Sequence, residues 1–216
     1  MLLSEVDRSI KNLQSEKAMK KLNLLLSLLM FQILFVHPLF AQDAVSYHNS
    51  GLKKAYKGDM DGALADFTKA IELDPAFAEA YGNRGNAKSS KKDWDGAIAD
   101  FDKAIELNSL KGPELAKVYY NRGRAKKGKD DVDGAITDYT KAIELDPKYA
   151  YAYYNRGNAR KAKGDLDGAL ADFTKAIELN PKDAMAYEKR GEVKRTKGDL
   201  AGAEADLARA KELGQK

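Results

Sequence analysis

The sequence predicts an all-α protein, a right-handed superhelical solenoid built from five helix-turn-helix hairpins. Two observations predict it: glycines recur at an almost constant interval, and tyrosine, alanine and aromatic residues recur at fixed distances from each glycine. The intervals are 34, 38, 34 and 34 residues. The recurring glycines are Gly51, Gly85, Gly123, Gly157 and Gly191. No segment past residue 43 has the two-residue alternation of a β-strand, so the pattern favours helices alone.

The fourth unit illustrates how each hairpin is expected to pack. Spacings of four residues place Tyr153 and Gly157 on one face of a first helix. Ala169, Phe173 and Ala176 line one face of a second helix in the same way. The small residues let the two backbones approach closely, while the rings fill the space beside them. One hairpin cannot bury its apolar face alone, so stability must come from stacking.

Turn residues separate these helices. Gly164 is expected to end a first helix and Asp165 to cap the second helix that follows. Pro181 is expected to end that second helix and to start the next unit.

The combined 34-residue pattern resembles the tetratricopeptide repeat, over about residues 44–213. The resemblance implies five units, the last with a helix that caps itself because Glu204 and Lys211 replace apolar residues of the earlier units. Four extra residues near 108–115 are expected to form a turn at Gly112 and Pro113, with some lengthening of the flanking helices. The extra residues are either a tolerated insertion or a change of superhelical pitch. The predicted units are 44–77, 78–115, 116–149, 150–183 and 184–216.

The N-terminal region 1–41 reads as an extension followed by an export signal. Lys20 and Lys21 precede an apolar run at 22–40, and Ala41 supplies a small residue at the exit. We expect translation to start at Met19, cleavage to leave a mature chain beginning near Gln42, and an exported, periplasmic or secreted protein. The alternative is an uncleaved membrane anchor with the repeats outside the cytoplasm.

Arginine precedes the glycine in four units, and aspartate recurs in every second helix. A partly buried arginine can pack its stem while its guanidinium meets a carboxylate, so we expect a structural ladder of ion pairs. Pairing within a unit and pairing from one unit to the next are both possible; we favour the second, Asp66 with Arg84 and Asp100 with Arg122, which leaves Asp206 in water. The ladder residues are Arg84, Arg122, Arg156, Arg190, Asp66, Asp100, Asp138 and Asp172.

In each of the first four units, asparagine stands two residues before the recurring glycine. In families of this kind the first helices line a concave groove, so the resemblance implies that these amides clamp the backbone of a bound peptide, since an amide both donates and accepts. Lys117 and Lys189 add positive charge, which favours a mildly acidic segment. The predicted peptide-binding residues are Asn49, Asn83, Asn121, Asn155, Lys117 and Lys189.

Other function classes find little support in the composition. Two histidines and no cysteine leave no set of residues for a histidine-based triad or a zinc site, so we expect no enzyme activity, metal or cofactor. The 37 basic residues against 33 acidic ones are dispersed, which argues against nucleic acid. We therefore expect a monomeric protein-binding scaffold; the alternative is an envelope assembly factor acting through its convex face or an anchor.

Overall fold

The structure, a computed structural model, describes residues 19–25, 27 and 37–214. Between His37 and Gly214 the chain forms ten helices and no strand, as predicted for the fold class. Helices that are neighbours in the chain pack against each other as antiparallel pairs, and the pairs stack in order. The helices are α1 (His37–Tyr56), α2 (Met60–Leu73), α3 (Ala78–Ser90), α4 (Trp94–Glu106), α5 (Gly112–Gly128), α6 (Val132–Leu145), α7 (Ala150–Ala162), α8 (Leu166–Leu179), α9 (Ala184–Thr196) and α10 (Leu200–Gly214).

Helix α1 begins seven residues before the predicted start of the first unit at 44. Pro38 is its second residue, a place where the missing N–H removes no helical bond. Most of the apolar run at 22–40 lies outside the described residues, so the export signal and the anchor both stay predictions. None of the helices in the described ranges is long and apolar enough to cross a bilayer.

Each second helix begins with the predicted aspartate cap. The Asp165 carboxylate accepts a hydrogen bond from the Gly168 N–H at 2.9 Å, and the same contact recurs in the other four units. Such a cap stabilises a helix by about 1 kcal/mol. Gly164 has a φ of +81°, the left-handed conformation that ends α7 as expected.

The four extra residues of the array lengthen helix α5, so the expected lengthening of a flanking helix is present, whereas the turn expected at Gly112 and Pro113 is wrong. Helix α5 has 17 residues, whereas α3, α7 and α9 have 13 each, and the extra turn lies at the N-terminus of α5. Gly112 and Pro113 open this helix, because a proline is tolerated in a first turn and Glu114 there complements the helix dipole. Buried Leu110 and half-buried Leu115 pack on the core beside the added turn.

In four of the five hairpins the core is an aromatic ring held against the recurring glycine, and in the fifth Leu207 lies against Gly191. Phe67, Phe101, Tyr139 and Phe173 are fully buried. A Cβ added at Gly123 would lie 2.8 Å from Cε1 of Tyr139 and 3.2 Å from the Ala135 carbonyl oxygen, so no larger residue fits without movement. The close approach predicted from the Gly and Ala spacing is therefore present.

Two glycine-to-alanine substitutions in first helices should change stability in opposite directions. Gly123→Ala should lower the free energy of unfolding by about 1–3 kcal/mol, because the methyl group enters the space of a buried ring. Gly82→Ala should raise it by about 1 kcal/mol, because alanine favours the helix and the added Cβ meets only the Val118 Cγ2 atom at 3.8 Å.

Urea unfolding followed by circular dichroism measures both changes. Equal destabilisation by the two substitutions would contradict the packing described here.

Candidate functional site

A groove lies between the first helices of the second and third units, α3 and α5. One part of it is a cavity of about 270 Å³ lined by Asn83, Lys117 and Asn121, with Phe101 and Leu110 among its apolar walls. Three of the six predicted peptide-binding residues therefore meet in one cavity. The sequence predicts that these residues share one surface, but it does not predict the cavity that they line.

A second cavity of about 330 Å³ adjoins the first along the same two helices. Asn86 and Asn121 line both, and Ser90, Trp94 and Arg124 line the second alone. Asn121 thus lies at the boundary between them, and the two cavities form one continuous groove.

The asparagines of the predicted ladder differ in what their amides contact. The Asn83 Nδ2 atom lies 2.9 Å from Nε2 of His48, and the Asn155 amide donates to the Tyr120 hydroxyl at 2.9 Å. Across residues 37–214, the Asn121 amide has no hydrogen-bond partner, although the side chain is half-buried. Asn49 is exposed on α1. Asn121 is therefore the ladder member whose amide is available to a ligand beside a cavity.

The two predicted lysines lie close to carboxylates. Lys189 contacts Glu192 at 2.7 Å and Glu188 at 3.1 Å, and hydrogen bonding to Glu192 raises its pKa. Lys117 is exposed and shares the wall of the first cavity with Glu79 and Glu114. The positive charge expected from the sequence is thus accompanied by two carboxylates at the first cavity.

The predicted ion-pair ladder is present, but the expected pairing between units is wrong. Arg122 donates to both carboxylate oxygens of Asp138 at 2.9 and 2.6 Å, within one unit. The same two-point contact joins Arg84 to Asp100, Arg156 to Asp172 and Arg190 to Asp206. Sixteen residues separate each pair, so the second helix returns its aspartate to the arginine of the same hairpin.

The ends of the ladder also differ from the expectation. Asp206 is 4% exposed rather than solvated. Burial alone would raise the pKa of Asp206, but hydrogen bonds from Arg190 and Lys194 outweigh that effect and lower the pKa. Asp66 contacts Lys54 at 2.7 Å, since the first unit has Ser50 in place of an arginine.

Each buried aspartate contacts a basic side chain that sequence reasoning missed, which is a second cation in the four units that also have the arginine and which stands in place of the arginine at Asp66. Lys126 lies 2.9 Å from Asp138, and a basic residue stands three positions after the recurring glycine in every unit. The others are Lys54, Lys88, Arg160 and Lys194. The fixed twelve-residue spacing to the aspartate was visible in the sequence, but a lysine near a helix end is also explained by the helix dipole alone.

The arginines also contact the preceding unit, which explains part of the recurring motif. Nη1 of Arg156 donates to the Thr140 hydroxyl at 3.0 Å, and Arg122 reaches Asp102 at 2.6 Å from the corresponding place. Each guanidinium also lies over the tyrosine three residues earlier, as Arg122 does over Tyr119 at 5.1 Å. One side chain therefore joins two helices of its own unit to the neighbouring unit.

Two family models match the chain. One, described as the tetratricopeptide repeat, matches residues 78–109 and 150–183. The other, described as the TPR repeat, matches residues 51–91 and 127–164. Among curated proteins, none is a match for this sequence.

Solved structures with the same fold include MamA, at 30% identity and a TM-score of 0.70, covering 76% of this chain and 94% of that one. YrrB, described as a TPR protein with an unusual peptide-binding site, is 26% identical with a TM-score of 0.66, covering 79% of this chain and 86% of that one. A MamA fragment from Desulfovibrio magneticus RS-1 has a TM-score of 0.72 at 21% identity, covering 80% and 96%, and shares the fold. Among the described residues, no group of acidic, histidine or cysteine side chains could hold a metal ion.

A double-mutant cycle should couple Arg122 to Asp138. Replacing Arg122 by alanine should lower the free energy of unfolding by about 1–3 kcal/mol, because it leaves a buried carboxylate with one cation fewer. The coupling energy between Arg122→Ala and Asp138→Asn should exceed about 0.5 kcal/mol.

The matched control is the cycle of Arg122→Ala with Asp100→Asn, which should show additive effects. Coupling to Asp100 alone, measured by the same denaturant titrations, would restore the pairing between units.

Proposed function

The chain belongs to the tetratricopeptide repeat family, and on this premise we propose that it is a non-catalytic scaffold that binds an extended segment of a partner protein along its first helices. The observation that carries the proposal is the groove between α3 and α5, where Asn83, Lys117 and Asn121 line one cavity. Tetratricopeptide repeats serve protein–protein interaction, and the groove is the place in this chain where polar groups and apolar walls meet.

The shape of the groove supports a peptide over a small molecule. Its cavities of about 270 and 330 Å³ lie at or below the lower end of the ~300–1,000 Å³ typical of ligand pockets. Two adjoining cavities of this size suit successive side chains of an extended chain, and the Asn121 amide between them can pair with a peptide group by donating and accepting. YrrB, which has the same fold, is described as having a peptide-binding site.

The charge of the groove bears on which segment it takes. Lys117 lies with Glu79 and Glu114 at the first cavity, and Arg124 lines the second. Both signs of charge are thus present, so we propose a segment that carries mixed charge instead of the mildly acidic one that the lysines alone favoured. Affinity should be roughly micromolar, because ordering an extended chain costs entropy.

The setting of this interaction follows from the N-terminal sequence. We propose that the partner is met outside the cytoplasm, because residues 19–41 have the pattern of an export signal. We propose that a single copy of the chain is the binding unit.

Selection of a phage-displayed random peptide library on the purified protein tests the proposal. Enriched peptides are then titrated by calorimetry against the wild type and Asn121→Ala. Loss of the amide should weaken binding about five-fold, the equivalent of one hydrogen bond, and leave thermal unfolding unchanged.

Asn155→Ala is the matched control, since it is the same residue type at the same place in another unit. Its amide is bonded to Tyr120, so this substitution should reduce stability and leave peptide affinity unaltered. Enriched peptides whose affinity is the same for Asn121→Ala and whose nuclear magnetic resonance footprint lies on the second helices would refute binding in the groove.

A further inference from the structure

The residue immediately before the ladder asparagine differs in one unit from its neighbours. In the first, third and fourth units it is an aromatic side chain: His48, Tyr120 and Tyr154. In the second unit the same place is Gly82, which lines the 270 Å³ cavity. A place filled by a ring elsewhere is therefore open here.

The first unit shows how the ring is held. The His48 ring lies 5.7 Å from the Phe67 ring and 4.8 Å from the Phe77 ring. Nε2 of His48 lies 2.9 Å from Nδ2 of Asn83 in the next unit, and because an amide nitrogen only donates, Nε2 accepts. Burial lowers the pKa of His48, which favours the neutral ring that this hydrogen bond requires.

The third unit repeats the arrangement with tyrosine. The Tyr120 ring lies 5.8 Å from the Tyr139 ring and 4.9 Å from the Tyr149 ring. Its hydroxyl accepts from the Asn155 amide of the next unit at 2.9 Å. In both units a ring rests on two apolar side chains and its polar tip meets an asparagine 35 residues later.

The second unit has the buried ring of the second helix and the asparagine of this arrangement, but it lacks the ring before the ladder asparagine, and its other wall is aliphatic. Phe101 corresponds to Phe67 and Tyr139, and it is fully buried at the cavity wall. Leu110, 6% exposed, takes the place of the second apolar wall. Asn121 corresponds to Asn83 and Asn155, and its amide is the one without a partner across residues 37–214.

Packing does not require glycine at residue 82. A Cβ there would meet only the Val118 Cγ2 atom at 3.8 Å, an ordinary contact, whereas a Cβ at nearby Gly85 would lie 2.8 Å from Phe101. The position is inside α3, where glycine is less favourable than alanine by about 1 kcal/mol. What the glycine provides is the open space itself.

We propose that this cavity receives a tyrosine side chain of the bound partner segment. Its ring would lie on Phe101 and Leu110, and its hydroxyl would accept from the Asn121 amide, as Tyr120 does from Asn155. A cavity of about 270 Å³ is small for a drug-sized ligand and suits one such side chain. The inference rests on the proposed function and adds the residue type that anchors the segment.

The test uses N-acetyl-L-tyrosinamide as the probe, with the phenylalanine and leucine amides for comparison. Each is titrated to millimolar concentration into isotope-labelled protein while backbone amide resonances are followed. We expect the tyrosine probe to shift the resonances of Gly82, Phe101, Leu110 and Asn121, with the phenylalanine probe about five-fold weaker because it lacks the hydroxyl.

Two variants test whether the shifts come from binding in this cavity. Gly82→Tyr should fill the cavity with its own ring, abolish the shifts and leave the melting temperature equal or higher, so a loss of binding cannot be ascribed to unfolding. Asn121→Ala should remove the preference for tyrosine over phenylalanine while keeping a weak response to both.

Several results would overturn the inference. One is the absence of shifts at these residues, and another is an unchanged response in Gly82→Tyr. Self-association that Gly82→Tyr abolishes would show a second copy inserting its exposed Tyr56 instead. If library peptides without an aromatic residue bind in the groove, the tyrosine anchor is wrong and the proposed function is still supported. If the library peptides bind elsewhere, the proposed function itself is wrong.

Discussion

In four of the five hairpins, an aspartate of the second helix is buried between two cations of the first, an arginine sixteen residues before it and a lysine or arginine twelve before it. The first unit keeps the second of these contacts through Lys54. A buried carboxylate without a partner costs several kcal/mol, so only one register of the two helices satisfies it. The same arginine reaches the preceding unit, so this contact fixes the hairpin and the stack together.

With the register fixed, the inner surface can vary without disturbing the stack. The residue before each ladder asparagine is a ring in three units, and each ring fills the space between neighbouring first helices. Gly82 leaves that space empty, and the extra turn of α5 brings Glu114 to the same cavity. The proposed binding therefore uses the unit whose sequence departs from the repeat, while stability depends on the positions that the units share.

The period, the helix caps and the glycine–ring contacts could be predicted from the sequence, because each rests on spacing within one unit. The ion-pair register could not, because Asp100 paired with Arg84 or with Arg122 gives an equally regular pattern, and only the geometry of the helices separates the two. Gly112 and Pro113 predicted a turn, but they open a helix, because glycine followed by proline suits both a turn and the first turn of a helix. The cavity at Gly82 was missed because it depends on residues far along the chain, among them Asn121 of the next unit, 39 residues away.

The most direct measurement is a crystal structure of the protein bound to a tyrosine-containing peptide from the library selection. We expect the peptide between α3 and α5, with its tyrosine ring against Phe101 and Leu110 and the phenolic oxygen within hydrogen-bond distance of the Asn121 amide nitrogen. A peptide bound on the outer helices, or one bound in the groove with the cavity at Gly82 left empty, would contradict it.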